Sequence, residues 1–128
     1  MSMALQVGQT AKTSRTFRAT DIAGYVALGG QTTFNREVPE PLIGAMFSYL
    51  LGVKLPGEGT KYLKQESEFK SCAFIDQTLV ACVEITRLRP EKHLVDLRTT
   101  CHSDAGDLIC TGRALVYVDA IIESHDGS

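Results

Sequence analysis

Apolar residues alternate with polar ones in the second half of the chain, as they do in β-strands with one buried face. The clearest case is the segment from Thr78 to Leu88, whose apolar face carries Leu79, Ala81, Val83 and Ile85. Further strands are predicted over Thr10–Arg18, Thr60–Phe69, His93–His102 and Asp107–Val118. The last of these is expected to face inward with Leu108, Cys110, Ala114, Val116 and Val118.

Two helices are predicted in the first half. The segment Leu42–Leu51 is apolar on nearly every side, which is typical of a helix buried on most of its surface. Pro39-Glu40-Pro41 marks its start, because proline fits the first helical turn, and Gly52 is its expected terminator. A shorter helix is expected over Asp21–Leu28, with Thr20 as the N-cap.

Helices followed by strands joined by tight turns indicate an α+β protein with an antiparallel sheet. Five strands curled around one apolar helix form the hot-dog arrangement. In that fold the sheet usually continues across a two-fold axis, so we expect a homodimer. The 128 residues fit a single domain over 1–128, with a polar tail at 120–128 that we expect to fray.

Composition narrows the function. Thirteen Lys and Arg against fifteen Asp and Glu give a net charge of −2, which offers no basic face for nucleic acid. No apolar run is long enough to span a membrane, and the first residues do not have the pattern of a signal peptide, so we predict a cytoplasmic protein. The four cysteines lack metal-ligand spacing and are expected to be buried free thiols, which predicts no metal site.

Three segments resemble the MaoC-like (R)-specific enoyl-CoA hydratases. The first is Leu5–Gln9 together with the helix Thr20–Tyr25. The second is Met46–Thr60, which contains the motifs Met46-Phe47-Ser48-Tyr49-Leu50-Leu51-Gly52 and Leu55-Pro56-Gly57-Glu58-Gly59. The third is Thr111–Ala114. The resemblance extends over nearly the whole chain. It implies the hot-dog fold, a homodimer and an acyl-CoA or acyl-carrier thioester as the ligand, with coenzyme A present only as part of the substrate.

The chain departs from the family at its catalytic loop. Family hydratases carry an Asp, then Asn-Pro and a His, after the short helix, and His-Gly-Met at the start of the central helix. Here the segment 28–34 runs almost directly towards the central helix, and Pro39-Glu40-Pro41 stands where His-Gly-Met would lie, so the resemblance implies that this loop is deleted. Hydration needs a base for water and a proton donor for the α-carbon, each contributing roughly 10²–10⁴-fold. We therefore expect family-type hydration to be largely lost.

The start of the central helix offers another chemistry. Its exposed N–H groups are suited to holding a thioester oxygen, and the candidate donors are Leu42, Ile43 and Gly44. Glu40 is the candidate base for activating water, oriented by Asn35 or Gln31, with Glu37 as a second carboxylate; the alternative is that Glu40 only complements the helix dipole. Arg36 is the candidate ligand for a coenzyme A phosphate.

Three functions follow from these features. The first is an acyl-CoA thioesterase with Glu40 as base. The second is a catalytically silent subunit that binds a thioester or pairs with an active MaoC-like chain. The third is an (R)-specific enoyl-CoA hydratase whose missing pair is replaced by Glu37 and Glu40 or supplied by a partner chain.

Overall fold

A computed structural model describes residues 3–31, 36–119 and 121–123. The strands are β1 Met3–Leu5, β2 Thr10–Thr16, β3 Lys61–Phe69, β4 Thr78–Arg89, β5 Leu94–Ser103, β6 Leu108–Tyr117 and β7 Ile121–Glu123. The helices are α1 Ala19–Ala27 and α2 Glu40–Tyr49, followed by a π-helical turn at Leu50–Lys54 and a 3₁₀ turn at Pro90–Lys92. None of the described helices is long and apolar enough to cross a membrane.

Five of the strands form one antiparallel sheet in the order β2–β4–β5–β6–β3. This confirms the predicted α+β class and its five-stranded sheet. The chain leaves β2, passes through both helices and enters β3 at the opposite edge of the sheet. The helix α2 therefore crosses the inner face of the sheet. The segment before it starts from the edge strand β2, and the segment after it leads to the edge strand β3.

The core lies between α2 and the inner face of the sheet. The strand alternation was predicted correctly for β4, where Leu79, Ala81, Val83 and Ile85 are fully buried. The helical side is made of Ile43, Met46 and Phe47, followed by Leu50 and Leu51. On β6 the predicted inward position of Leu108 is wrong, because this residue starts the strand and is 36% exposed.

The helix α2 is less enclosed than its sequence predicts. Leu42 is half-buried, and Ala45 and Tyr49 are exposed, so an apolar stripe at helical spacing faces away from the sheet. The apolar composition of the segment does not predict this exposure. It shows which sides of the helix are apolar, but not which of those sides other elements of the fold cover. The uncovered stripe lines a cavity described below.

The predicted helix ends also need correction. The N-cap of α1 is Arg18 and not Thr20, because the Asp21 carboxylate reaches back and accepts a hydrogen bond from the Arg18 N–H at 2.7 Å. Gly52 does not terminate the central helix. The chain widens there into the π-helical turn, which closes with a bond from the Leu55 N–H to the Leu50 carbonyl at 2.7 Å.

A parallel pair of short strands was not predicted. β1 pairs with β7 in the register Met3↔Ile121 to Leu5↔Glu123, and Leu5 is buried. The expectation that the tail frays is therefore wrong for residues 121–123, because their backbone hydrogen-bonds the start of the chain. Residues 120 and 124–128 lie outside the described residues.

Candidate active site

The start of α2 is fixed by two prolines. Pro39 is the N-cap and Pro41 is the second helical residue, so the helix begins at Glu40, two residues earlier than predicted. The Leu42 N–H already donates to the Pro39 carbonyl at 3.0 Å. Since neither proline has an N–H, the first turn presents the N–H of Glu40, which has no backbone acceptor in the described part of the chain.

The predicted oxyanion donors therefore change. Leu42 is engaged with Pro39, and the N–H groups of Ile43 and Gly44 fall at positions that an α-helix bonds to the preceding turn. Sequence reasoning placed them at the helix end only because it started the helix at Leu42. The backbone donor that points away from the helix is that of Glu40, whose side chain was the predicted base.

The loop before α2 is held by the segment that follows β3. Val38 N–H donates to the Ala73 carbonyl at 2.7 Å, and Ile75 N–H donates to the Arg36 carbonyl at 2.9 Å. A bridge between Glu37 and Phe74 lies between these two bonds. This short pairing brings residues 36–38 and 72–75 together, although more than thirty positions separate them in the sequence.

A cavity of about 280 Å³ opens between these segments at the start of α2. We call it the proline-end cavity. Its walls are formed by the loop and helix residues Glu37, Val38, Glu40 and Ile43, and by the strand end Phe69, Lys70, Ser71, Cys72 and Ala73. The cavity therefore collects two carboxylates, a thiol and an ammonium group around an apolar floor.

The electrostatics of the proline-end cavity are dominated by its carboxylates. The charge of Glu37 raises the pKa of the Cys72 thiol, and the hydrogen bond between the two side chains and the charge of Glu40 act in the same direction. Cys72 is therefore a protonated donor at neutral pH and a poor nucleophile.

Cys72 is the residue that sequence reasoning missed. All four cysteines were expected to be buried, and this is correct for Cys101 and Cys110, whereas Cys82 is half-buried and Cys72 is exposed. The signal lay in its neighbours, because Cys72 follows Lys70 and Ser71 at the end of an edge strand and not within an alternating apolar pattern.

Two other predicted site residues, Arg36 and Gln31, do not line this cavity. Arg36 has a left-handed backbone (φ 61°), and its guanidinium donates to Asp76 Oδ2 at 2.8 Å while Arg18 holds Oδ1 at 3.0 Å. Arg36 is thus committed to a carboxylate and is not an unpaired phosphate ligand. Gln31 is exposed, and Asn35 lies outside the described residues.

A second cavity, of about 240 Å³, lies on the other side of α2. It is formed by the uncovered stripe of the helix and by β2, and its lining residues are Thr13, Ser14, Arg15, Leu42, Ala45, Met46 and Tyr49. Apolar helix residues facing a polar strand give it an amphipathic wall. Among the described residues, no group of His, Cys, Asp and Glu is arranged to hold a metal ion.

Comparison with known proteins identifies relatives over most of the chain, although no family model matches it. An (R)-specific enoyl-CoA hydratase of Aeromonas caviae is 35% identical, with 90% of this chain and 96% of the relative aligned. An (R)-specific enoyl-CoA hydratase of Rhodospirillum rubrum is also 35% identical, over 91% of this chain and 90% of the relative.

Solved structures agree on the fold. The structure of an (R)-hydratase from A. caviae involved in PHA biosynthesis matches with a TM-score of 0.82 and 35% identity, covering 89% of this chain and 97% of that one. A thioesterase superfamily member from Thermus thermophilus has a TM-score of 0.64 at 14% identity, covering 87% of this chain and 81% of that one, which supports the hot-dog fold alone.

The alignment lengths carry further information. The alignment with the Aeromonas hydratase is 129 positions long, but it includes only 90% of the 128 residues of this chain, which is about 115 residues. About 14 positions of the alignment are therefore gaps in the sequence of this chain. The alignment with the Rhodospirillum hydratase spans 130 positions with 91% of the chain, about 116 residues, and again leaves about 14 gaps.

Proposed function

Because the chain belongs to the (R)-specific enoyl-CoA hydratase family, we propose that it binds an acyl-CoA thioester in the proline-end cavity and adds water to a 2-enoyl thioester there. The observation that carries this proposal is that Glu37, Glu40 and Cys72 line one cavity at the start of α2, where the Glu40 N–H has no backbone acceptor among the described residues. Hydration needs a base, a proton donor and a donor for the thioester oxygen, and this cavity offers all three.

The chemistry assigns a role to each group. Glu40 takes a proton from water as the water oxygen bonds to the β-carbon of the substrate. The Cys72 thiol, hydrogen-bonded to Glu37, is the proton source for the α-carbon. Negative charge that develops on the thioester oxygen is stabilised by the Glu40 N–H and by the positive end of the α2 dipole. The sum of these steps adds one H and one OH across the double bond. The proton taken up by Glu40 then passes to the Cys72 thiolate, which restores both groups to their starting states.

This site is non-standard for the family. The resemblance places the family's Asp and His in a loop between the short and the central helix, and we propose that the gaps of about 14 positions against the two hydratases fall in this loop. The proposal therefore reverses the expectation that hydration is lost. It transfers the acid and base roles to the carboxylates and the thiol that the shortened loop leaves beside α2.

Thioester hydrolysis is a second candidate. It was the leading hypothesis from the sequence, and it is favoured by the same pairing of the Glu40 carboxylate with an N–H at one helix turn, since water attack on the carbonyl carbon also needs a base and an oxyanion donor. The likeness to a thioesterase superfamily member at 14% identity adds nothing to it beyond the fold. Hydration is preferred because the relatives at 35% identity are hydratases.

Three further expectations from the sequence stay part of the proposal. The protein is a homodimer, with a heteromer containing an active MaoC-like chain as the alternative. Its thioester is carried by coenzyme A, with an acyl carrier protein as the alternative. Its compartment is the cytoplasm.

The experiment follows both reactions in one sample. Purified protein is mixed with crotonyl-CoA, the enoyl absorbance reports hydration, and a thiol reagent in a parallel sample reports free coenzyme A. We expect loss of the enoyl absorbance without thiol release. Hydration should fall about 10²-fold or more in Glu40→Gln and in Cys72→Ala, because each removes a positioned acid–base group.

Glu91→Gln is the matched control. Glu91 is exposed in the turn between β4 and β5, and the substitution removes the same charge at a site outside the cavity. Its hydration rate should equal that of the wild type. Thiol release without hydration would establish the hydrolase instead, and full hydration in Glu40→Gln would remove this residue from the mechanism.

A further inference from the structure

The outer edge of β2, which comprises Thr10–Thr16 and which we call the β2 edge, ends the sheet on the side away from β3. Within the described part of the chain, the backbone of these residues hydrogen-bonds β4 and no other segment. In an antiparallel pair, about half of the residues of an edge strand direct both their N–H and their C=O outward. The β2 edge therefore offers unpaired backbone donors and acceptors to a further strand.

The cavity of about 240 Å³ on the other side of α2 opens along this edge. Its strand wall consists of three consecutive residues, Thr13, Ser14 and Arg15. Neighbouring side chains of a strand point to opposite faces, so a cavity that contacts all three follows the backbone and not one face of the sheet. The opposite wall is the side of α2 that carries Leu42, Ala45, Met46 and Tyr49. A strand added to the β2 edge would thus have an apolar helix surface beside it.

The register with β4 shows which residues of β2 face the helix. Thr13 lies opposite the fully buried Ala81, on the inner face of the sheet, and Arg15 is two positions further along the same face. Lys12 lies opposite the half-buried Cys82, on the outer face. Directly opposite residues share a face, so a residue that pairs with Thr13 from a further strand directs its side chain towards α2 and into the cavity.

The charges of the β2 edge have one sign. The segment 10–18 contains no acidic residue and three cations, Lys12, Arg15 and Arg18. Arg18 is bonded to Asp76 at 3.0 Å, whereas Arg15 donates only one of its five N–H groups to Asp21, at 3.2 Å. Lys12 forms no ion pair with another described residue. Lys12 and the remaining N–H groups of Arg15 are therefore available to an anion.

This charge pattern opposes pairing with a second copy of β2 and favours an acidic strand. Because both charged residues of Thr10–Thr16 are cations, no register sets a cation of one copy against an anion of the other. With a two-fold axis at Arg15, two guanidinium groups would face each other. An acidic strand can meet an opposite charge at both Lys12 and Arg15, and directly opposed charges of opposite sign stabilise a strand pair.

We propose that the β2 edge binds an extended acidic segment of a partner protein as an additional antiparallel strand. Two acidic residues of the segment lie opposite Arg15 and Lys12. Between them, a large apolar residue opposite Thr13 fills the cavity against Leu42 and Ala45. Backbone hydrogen bonds hold the added strand, and the cavity and the two cations select its sequence. The proposal does not depend on the proposed hydration.

A synthetic heptapeptide tests this pattern. The matched peptide reads threonine, glutamate, threonine, leucine, glutamate, valine, threonine, has blocked ends and pairs with positions 16 to 10 in that order. In the exchanged peptide the leucine and the second glutamate trade places, which keeps composition and charge but sets a carboxylate in the cavity. Titration of the ¹⁵N-labelled protein should give a Kd on the order of 100 μM for the matched peptide and at least about tenfold weaker binding for the exchanged one.

N-methylation separates strand addition from binding to the cavity alone. Two versions of the matched peptide carry N-methyl groups on alternate residues, one on the odd and one on the even positions. In an antiparallel pair only one of these sets directs its N–H groups towards β2, so one version should lose binding about tenfold or more while the other keeps it. Equal affinity of the two versions would contradict strand addition.

Variants of the protein test the two determinants. Ala45→Phe fills the cavity from the exposed side of α2 and should weaken binding of the matched peptide about tenfold or more. Ala23→Phe, on an exposed position of α1 outside the cavity, is its control. Arg15→Gln should weaken binding about fivefold, because one opposed charge pair is lost. Arg98→Gln removes the same charge from β5 and should leave the Kd unchanged.

The amide signals locate the peptide. We expect shifts at Thr10–Thr16 and no shifts along β3. Unchanged signals of Thr10–Thr16 at about 1 mM matched peptide, shifts confined to β3, or equal binding of the matched and exchanged peptides would each overturn the proposal. Hydration of crotonyl-CoA by the same samples is measured separately, so failure of the docking site and failure of the proposed reaction are distinguishable.

Discussion

At the scale of single residues, the proline-end cavity is governed by one hydrogen-bonded pair. The Cys72 thiol contacts the Glu37 carboxylate, whose charge raises the thiol pKa. The segments that carry them are distant in sequence and meet through the Val38–Ala73 and Ile75–Arg36 backbone bonds. A carboxylate that keeps a thiol protonated converts a reactive group into a donor, which is the property that the proposed hydration uses.

Glu37→Gln should make Cys72 more reactive. The substitution removes the charge that raises the thiol pKa, so more thiolate is present at a given pH and alkylation is faster. The measurement is the rate of iodoacetamide labelling at Cys72 against pH, read by peptide mass spectrometry. Labelling of the half-buried Cys82 in the same sample should not change, and an unshifted Cys72 profile would contradict the contact.

Gly112→Ala should be among the most damaging small substitutions. A Cβ at this position of β6 would lie 1.9 Å from the Glu66 carbonyl oxygen, a backbone atom of β3 that cannot move away without breaking the pairing. We expect a loss of about 1–3 kcal/mol of unfolding free energy.

Gly24→Ala is its control in thermal unfolding. A Cβ there meets nothing within 4 Å and Gly24 lies inside α1, so this change should raise stability by about 0.5–1 kcal/mol. Equal thermal unfolding midpoints for the two variants would show that the backbones of β3 and β6 do not approach each other closely at Gly112.

At the scale of elements, α2 stabilises the sheet and shapes the site together. Its inner side buries Ile43, Met46 and Phe47, and its proline-framed first turn leaves the Glu40 N–H without a backbone acceptor in the described part of the chain. Phe47→Ala should therefore cost about 3–5 kcal/mol, a large part of the stability of a domain of this size. Chemical denaturation measures this loss, and Tyr49→Ala, on the exposed side of the same helix, should cost much less.

The pairing of β3 with β6 should be visible in the titration of Glu66. Hydrogen bonds from Lys64 and Arg113 lower the pKa of this carboxyl below its ordinary value of 4.5. Because the folded pKa is lowered, the associated stability is fully present above pH 4.5 and is lost as the pH falls through the folded pKa.

NMR titration of the Glu66 carboxyl checks this, and Lys64→Gln or Arg113→Gln should each raise its pKa. A Glu66 that titrates at its ordinary value in the wild type would argue against both contacts.

At the scale of the whole molecule, the sequence predicts the sheet better than the site. The alternation in β4 and β5 is local, and local periodicity shows which face of a strand is buried. The placement of Leu42, Ile43 and Gly44 as donors failed by two residues, because the helix was predicted over Leu42–Leu51 whereas it begins at Glu40. A shift of two residues changes which N–H groups are free at the start of a helix, whereas it does not change which side of a strand is buried.

The contacts that make the cavity could not be predicted from local patterns. Cys72 reaches Glu37 only because residues 36–38 pair with 73–75, and no periodicity in either segment signals this bridge. The same holds for Arg36, whose partner Asp76 is forty residues away. Functional residues on loops depend on such non-local pairing, which a single sequence does not encode in any regular spacing.

The most direct test of the proposed function is the fate of crotonyl-CoA with the purified wild-type protein. We predict that the enoyl absorbance falls with multiple turnovers, that no coenzyme A thiol is released and that the product is the 3-hydroxyacyl thioester. An unchanged enoyl absorbance at stoichiometric concentrations of enzyme and substrate, with the protein folded, would contradict the assignment of hydration to Glu37, Glu40 and Cys72.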